Sequence, residues 1–399
     1  MKILLLTKKF PYPAKDGETI AIMQLLKGLS AAEHDITVLS INTLKHYFDL
    51  NTLPAETKSI VRFKAITVNT NPKPIDAIFN LFSAESYHYT RFYSTAFEQQ
   101  LIELLQKETF NIIQLEGLYL TQYISAIRKH STAKVLLRSH NIEFQIWERT
   151  IATMPFSPKK WYLQLQTNRL KKFENTMIPQ CDAIVAISDN DKKYIQQIAP
   201  KIPAITLPVG IDIQQQLNTE ITAEPFSIVH LGGMDWLPNQ EGVKWFLENV
   251  WHLVLEKFPQ AKFYLAGRNI PASFYEKKFP NYFVDGEIND AKTYLLSKQL
   301  VIVPLLSGSG IRVKIIENMA LGKCIVATTV GAEGIGVTHN ENILLADTPQ
   351  QFAGAIAKLF SEETLQNTIA KNALTFAHEN FDNQKLTEKL VAFYKTLVA

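Results

Sequence analysis

The stretch "FSIVHLGGMDWLPNQEGVKWFLENVW", residues 226–251, decides the architecture, because it repeats the pattern with which the chain opens. An apolar run reads as a strand, a Gly-containing loop follows, and a segment of helical spacing comes next. At the N-terminus "KILLLT" is followed by a loop with Pro11, Pro13 and Gly17, and then by "ETIAIMQLLKGL". The runs "DITVLSI", "IIQLEG", "KVLLRSH" and "AIVAIS" continue the first series, and "AKFYLAG", "YFVDG" and "LVIVPL" the second. Each is nearly continuous in apolar residues, as parallel strands covered on both faces are. The pattern predicts an α/β protein with two doubly wound domains in tandem, joined by the polar stretch "QQQLNTEITAEP", residues 214–225.

Length and charge agree with two domains and narrow the partners. A chain of 399 residues with 46% hydrophobic content can bury two cores. Its 41 Lys and Arg against 38 Asp and Glu, a net charge of +3, are too balanced for a dedicated nucleic-acid binder. Two cysteines far apart, Cys181 and Cys324, give no disulfide framework or cysteine metal site, which fits a reducing cytoplasm. The N-terminal apolar run is too short for a signal peptide, and no run is long enough to span a bilayer.

Ligands of open parallel sheets bind beyond the carboxyl ends of the strands, so three loops matter. The first is "LLSGSGIRVKIIENMALGK", residues 305–323, after "LVIVPL". Arg312 and Lys314 are expected in the first turn of a helix, where the macrodipole disfavours cations. Gly308 and Gly310 clear space before the backbone N–H groups, so the pattern asks for an anion such as a diphosphate, with Glu317 one turn deeper on ribose hydroxyls. The alternative is a plain i,i+3 ion pair of Lys314 with Glu317, worth about 0.2–0.5 kcal/mol. The second loop is "RSHNIEF", residues 138–144, where either Arg138 pairs with Glu143 around a buried His140 or the loop faces a ligand. The third is "KKFPYPAKDGETI", residues 8–20, with Gly17 and the cations Lys8, Lys9 and Lys15. Residues 157–174, "SPKKWYLQLQTNRLKKFE", have two readings. One is a domain helix with a solvated basic face, which is preferred, and the other a segment lying on anionic lipid.

"GSGIRVKIIENMALGKCIVATTVGAEGI" resembles the donor-binding segment of retaining glycosyltransferase family 4, in its branch with a Gly-Ser-Gly, Arg, Lys, Glu pattern. "GGMDWLPNQEGVKWF", "RSHNIEF" and "LPVGID" extend the likeness over most of the chain. The resemblance implies a GT-B fold, two Rossmann-like domains facing a central cleft. Residues 1–210 would form the acceptor side and 211–380 the nucleotide-sugar side, while 381–399 return to the first domain, as GT-B enzymes often do. It implies transfer of a sugar from a nucleoside-diphosphate sugar to a glycan or lipid-linked acceptor, with retention, no metal and no cofactor. The expected setting is cell-surface polysaccharide or glycoconjugate synthesis, in the cytoplasm or on the inner face of its membrane. His140, Arg312 and Lys314 are the expected catalytic residues. Gly17, Arg138, Gly233, Ser309, Gly310, Ile311 and Glu317 are expected to bind donor, and Asn141 and Glu143 are candidate substrate contacts. Ser309 stands where the family's first glutamate would, Val209 replaces the asparagine of the interdomain segment, and "GGMDW" lacks the basic residues many members carry. A non-hydrolysing nucleotide-sugar epimerase and a non-catalytic nucleotide-sugar-binding subunit are the alternative functions.

Overall fold

The computed structural model describes residues 1–14, 16–152, 154–212, 221–276, 278–308 and 310–399. The chain divides into two compact units, one of Met1–Gly210 with Asn383–Ala399 and the other of Ile211–Asp382.

The first unit is built on seven parallel strands: β1 (Lys2–Thr7), β2 (Asp35–Thr43), β3 (Arg62–Val68), β4 (Ile112–Glu116), β5 (Lys134–Ser139), β6 (Ala183–Ala186) and β7 (Ala204–Thr206). They lie in the order β3-β2-β1-β4-β5-β6-β7, so the direction of winding reverses between β1 and β4. The pleat sorts alternate residues into two cores. Ile3 and Leu5 pack with Leu26 and Leu29 of helix α1 (Gly17–Ala31) and with Leu390 and Tyr394 of the last helix, Asn383–Val398. Leu4 and Leu6 face the opposite layer of Leu101, Tyr123 and Leu170. That layer includes α3 (Glu143–Ala152) and α4 (Pro158–Met177), and α2 (Pro74–Asn80) is hydrogen-bonded to α4. The last helix is tied down at its start and near its middle: Asn383 Nδ2 donates to Gln24 O at 2.8 Å, and Lys389 Nζ to Thr206 O at 2.9 Å.

The second unit repeats the plan with β8 (Glu224–Leu231), β9 (Lys262–Ala266), β10 (Tyr282–Gly286), β11 (Lys298–Val303), β12 (Cys324–Ala327) and β13 (Leu344–Leu345). The order is β10-β9-β8-β11-β12-β13, all parallel, with the reversal between β8 and β11. Helix α5 (Leu237–Trp245) follows β8, and α6 (Val313–Ala320) follows β11. Ile228 packs with Val243 and Phe246 on one face, and Val229 packs with Ile315 and Met319 on the other. The polar stretch read as a linker ends earlier than the sequence suggests, because β8 already begins at Glu224. Residues 214–220 of that stretch lie outside the described residues. No helix among the described residues is long and apolar enough to cross a membrane.

Candidate functional site

In the second unit, the loops leaving β8 and β11 emerge on either side of the point where the strand order reverses, the place where open parallel sheets bind ligands. Glycine makes the approach possible. A Cβ on Gly267, whose φ is +138°, would stand 1.8 Å from Gly232 O, so the turns after β9 and β8 can press together only without it. The space a Cβ would fill at Gly232 is ringed by nitrogen, with Lys314 Nζ at 2.8 Å, Asn239 Nδ2 at 3.0 Å and His230 Nε2 at 3.4 Å. Beside it, at Gly233, the corresponding point is 2.9 Å from Asp235 Oδ1 and 3.4 Å from Arg268 Nε.

Each of these groups is oriented by a neighbour. Lys314 Nζ donates to Asn239 Oδ1 at 2.9 Å, and Asn239 Nδ2 donates to Gly233 O at 2.8 Å. His230 is fully buried, and its Nδ1 lies 3.1 Å from Ile302 O. A carbonyl can only accept, so Nδ1 carries the proton and Nε2 keeps a bare lone pair, which has no hydrogen-bond partner. Burial, and then the Lys314 charge, hold the His230 pKa well below the ordinary value. Burial likewise pushes Lys314 down to about 7, with the Arg312 charge adding to the effect and Glu317 opposing it. The pocket thus carries a cation that its surroundings barely support.

The loop after β11 departs from the sequence expectation in one respect. Arg312 is the N-cap residue of α6, not part of its first turn, and its side chain folds back. The guanidinium donates to Gly310 O and lies 5.2 Å from the centre of the Trp236 ring. Gly308, with φ +110°, makes room for it: a Cβ there would come within 2.9 Å of Arg312 Nη2. Lys314 does sit in the first turn, but it reaches across to Asn239 and leaves Glu317 without a close ion pair. Glu317 is exposed as a residue, although loss of water around the carboxyl raises its pKa and the Lys314 charge only partly offsets this. Ile311 is half-buried against the α6 side of the core, and Ser309 lies outside the described residues. No side chain caps α6, so N–H donors at its start are open to a ligand.

The first unit gathers a second cluster at the carboxyl ends of β4 and β5. His140 Nε2 is 2.8 Å from Glu116 Oε2, and Arg138 Nη1 is 3.5 Å from the same oxygen. Gln114 donates to the other carboxylate oxygen and accepts from Tyr394 of the last helix. Burial pushes the Glu116 carboxyl up, but the Arg138 charge and the His140 hydrogen bond overcome it and hold the pKa below the usual value. An ionised Glu116 can only accept, so His140 donates to it through Nε2–H, which leaves Nδ1 as the ring nitrogen not used by Glu116.

Here the expectation for Arg138 needs correction. Its side chain is 2% exposed, donates to Ala21 O of α1 and lies 3.5 Å from Glu116, so it supports Glu116 from inside the unit. The pleat explains this: Arg138 shares the face of Leu136, which belongs to the core under α1. Nor does Arg138 pair with Glu143, whose carboxylate accepts from Tyr119 OH at 3.1 Å and lies 3.7 Å from Lys8 Nζ. Ser139 Oγ donates to Asn141 O, which fixes the loop backbone. Gly17 is the exposed first residue of α1. Lys8 and Lys9 do not supply free positive potential, since Glu18 lies within 3.6 Å of both and Asp16 within 2.8 Å of Lys9. Lys15 lies outside the described residues. Among the described residues no three His, Cys, Asp or Glu side chains gather to share a cation.

His230, Asn239, Arg268, Trp236 and Glu116 were not among the residues singled out from the sequence. Glu116 and His230 did leave a signal, since a charged or titratable residue within a run buried on both faces must be paired or have its charge suppressed.

Comparison with known proteins gives the setting for these loops. Residues 225–362 match the family model described as Glycosyl transferases group 1. The chain is 22% identical over 408 residues to an uncharacterized 44.6 kDa protein in the cps region of Klebsiella pneumoniae, covering 96% of this chain and 97% of that one. Among solved structures it resembles sucrose-phosphate synthase from Thermosynechococcus elongatus, with a TM-score of 0.71 at 15% identity, covering 100% of this chain and 99% of that one. It also resembles Anabaena HepE in complex with UDP, with a TM-score of 0.67 at 15% identity over 99% and 100% of the two chains. The chain therefore has the GT-B fold, and the match to the glycosyl transferases group 1 model lies within its second unit.

Proposed function

We propose that the protein is a retaining, metal-independent glycosyltransferase that uses a nucleoside-diphosphate sugar. The observation that carries this reading is the ring of Lys314, Asn239 and His230 nitrogens around Gly232, with Arg268 beside it, at the strand reversal of the domain matched by the family model. A diphosphate fits that chemistry: it supplies the negative charge that would keep Lys314 protonated, accepts from the N–H groups at the start of α6, and offers Arg312 and Arg268 further anionic oxygens. Gly233 and Gly310 keep the backbone close to it, Ile311 belongs to its wall, and Glu317 takes the ribose hydroxyls; Ser309, outside the described residues, is proposed as a further donor contact on the sequence pattern alone. The fixed positive charge stabilises the departing nucleoside diphosphate in the place of a metal. His140, held by Glu116, positions the sugar; Gly17 and Asn141 belong to the loops around sugar and acceptor, and Glu143 shapes one of them.

The acceptor is a glycan or a lipid-linked glycan in the making of a surface polysaccharide or glycoconjugate, a reading supported by the full-length likeness to a protein encoded in a cps region. We place the reaction in the cytoplasm, on the inner face of the membrane. A thermal-shift screen of nucleoside diphosphates and nucleotide sugars tests the donor assignment, since a ligand that prefers the native state raises the midpoint. Product analysis with and without acceptor then separates transfer from epimerisation, which would proceed without one.

A further inference from the structure

Helix α2 and the turn that follows it, which holds Phe82, display an apolar side outward. Ile75, Ile78, Phe79 and Phe82 fall at i, i+3, i+4 and i+7, the spacing of one helical stripe, and with Phe156 and Trp161 they range from 59% to 93% exposed. The opposite side of the same segment holds it to α4. Tyr162 OH donates to Ala77 O at 3.4 Å, Gln166 Nε2 to Asn80 Oδ1 at 2.8 Å, and Arg169 Nη2 to Leu81 O at 3.0 Å. Because Trp161 adjoins Tyr162 and Phe156 precedes the N-cap Ser157, the two aromatics stand at the end of α4 that meets α2. A stripe of this size on a soluble surface marks an interaction site.

Charge decides what covers it. The segment 157–172 carries Lys159, Lys160, Arg169, Lys171 and Lys172 and no acidic residue, in a chain whose net charge is only +3. Lys73 adds a cation at the start of α2, 4.0 Å from Asp76. Lys171 lies 3.4 Å from Glu148, Arg169 is held by the carbonyls of Asn80, Leu81 and Glu85, and Lys160 donates to Met154 O, so the exposed Lys159 and Lys172 carry most of the excess. Exposed Phe, Ile and Trp beside an excess of Lys and Arg match a bilayer with anionic headgroups, with the rings at the acyl boundary and the cations among the phosphates. We infer that the α2–α4 face of the first unit docks on an anionic membrane surface. This deepens the peripheral placement proposed above, and the vesicle assay uses neither donor nor acceptor, so its failure would leave the transfer reading standing.

The test is co-sedimentation of the full chain with sucrose-loaded vesicles of phosphatidylcholine alone or mixed with phosphatidylglycerol. Binding to the mixed vesicles is expected, weaker at high salt as screening removes the electrostatic part. The double change Phe79→Ser, Phe82→Ser should lower the partition coefficient at least about tenfold with an unchanged thermal midpoint. Lys159→Glu with Lys172→Glu should remove the preference for phosphatidylglycerol. Background pelleting on both vesicles would overturn the inference. So would a dimer seen by light scattering and lost in Phe79→Ser, Phe82→Ser without any vesicle binding, since the face would then belong to a second copy.

Discussion

Replacing Lys314 by Met keeps the length and helix propensity of the side chain and removes its charge. Lys314 is half-buried as a residue, and burial around its ammonium brings the pKa from 10.5 to about 7. A shift of that size corresponds to an upper limit of about 5 kcal/mol of unfavourable charge burial. Solvent around the half-buried group and the lost hydrogen bond to Asn239 reduce the benefit of removing it, leaving an expected gain of about 1–2 kcal/mol in the ligand-free protein. The sign follows from linkage. Below about pH 7 Lys314 is charged in both folded and unfolded chains and the cost is complete; above it the folded chain releases the proton first, and stability recovers as pH rises toward 10.5. The advantage of the variant should therefore be largest in acid and fade in alkali. Donor binding should move the other way, weakened by about 1.5–3 kcal/mol, or roughly one to two decades in Kd, through loss of a charge-assisted contact to phosphate. Thermal melts across pH and isothermal titration with a nucleoside diphosphate and its nucleoside measure both effects. A variant that is less stable without ligand yet binds diphosphate normally would refute the donor-site assignment.

Glu317→Gln should weaken nucleoside and nucleoside diphosphate by similar factors in the same titration, because its proposed partner is ribose; an effect confined to the diphosphate would contradict that role. His140→Ala should lower turnover about a hundredfold or more while nucleotide Kd changes little, as expected of a group acting on the sugar, and equal losses would make it structural. Transfer activity should survive exhaustive EDTA treatment, and its abolition with rescue by magnesium or manganese would overturn the metal-independent reading. Glu174, fully buried and pushed up to about 8 chiefly by burial and then by the Glu143 charge, favours its protonated form in the folded chain. Its contribution to stability is lost as pH rises from about 4.5 through 8, so the melting temperature of Glu174→Gln should gain on that of the parent across this range.

Most strands that face apolar layers on both sides were legible as continuous runs, and the two strand-loop-helix openings gave the doubly wound plan. β3 was not, because its residues alternate between half-buried and exposed at the sheet edge, and the short β7, β12 and β13, of three, four and two residues, were not read as strands either. Arg312, Lys314 and Glu317 were visible because glycines, cations and an acid fall within ten residues of one another, a concentration that local reasoning can use. Asn239 is 75 residues from the lysine it orients, and only the strand reversal brings their loops together. Arg138 misled because a charged residue next to a loop invites a ligand role, whereas pleat parity turned it under α1 toward the acid that sequence reading passed over.

The last helix gives the protein an unusual order of assembly during synthesis. Everything the second unit needs, Ile211–Asp382, is contiguous, so it can fold without waiting for any later segment of the chain. The first unit, although translated earlier, has no partner for Leu26 and Leu29 in Leu390, nor Tyr394 to hold Gln114, until Asn383–Ala399 has been made. Its nascent apolar face must wait through translation of the whole second unit, and loss of Asn383–Ala399 would damage the part of the protein made first.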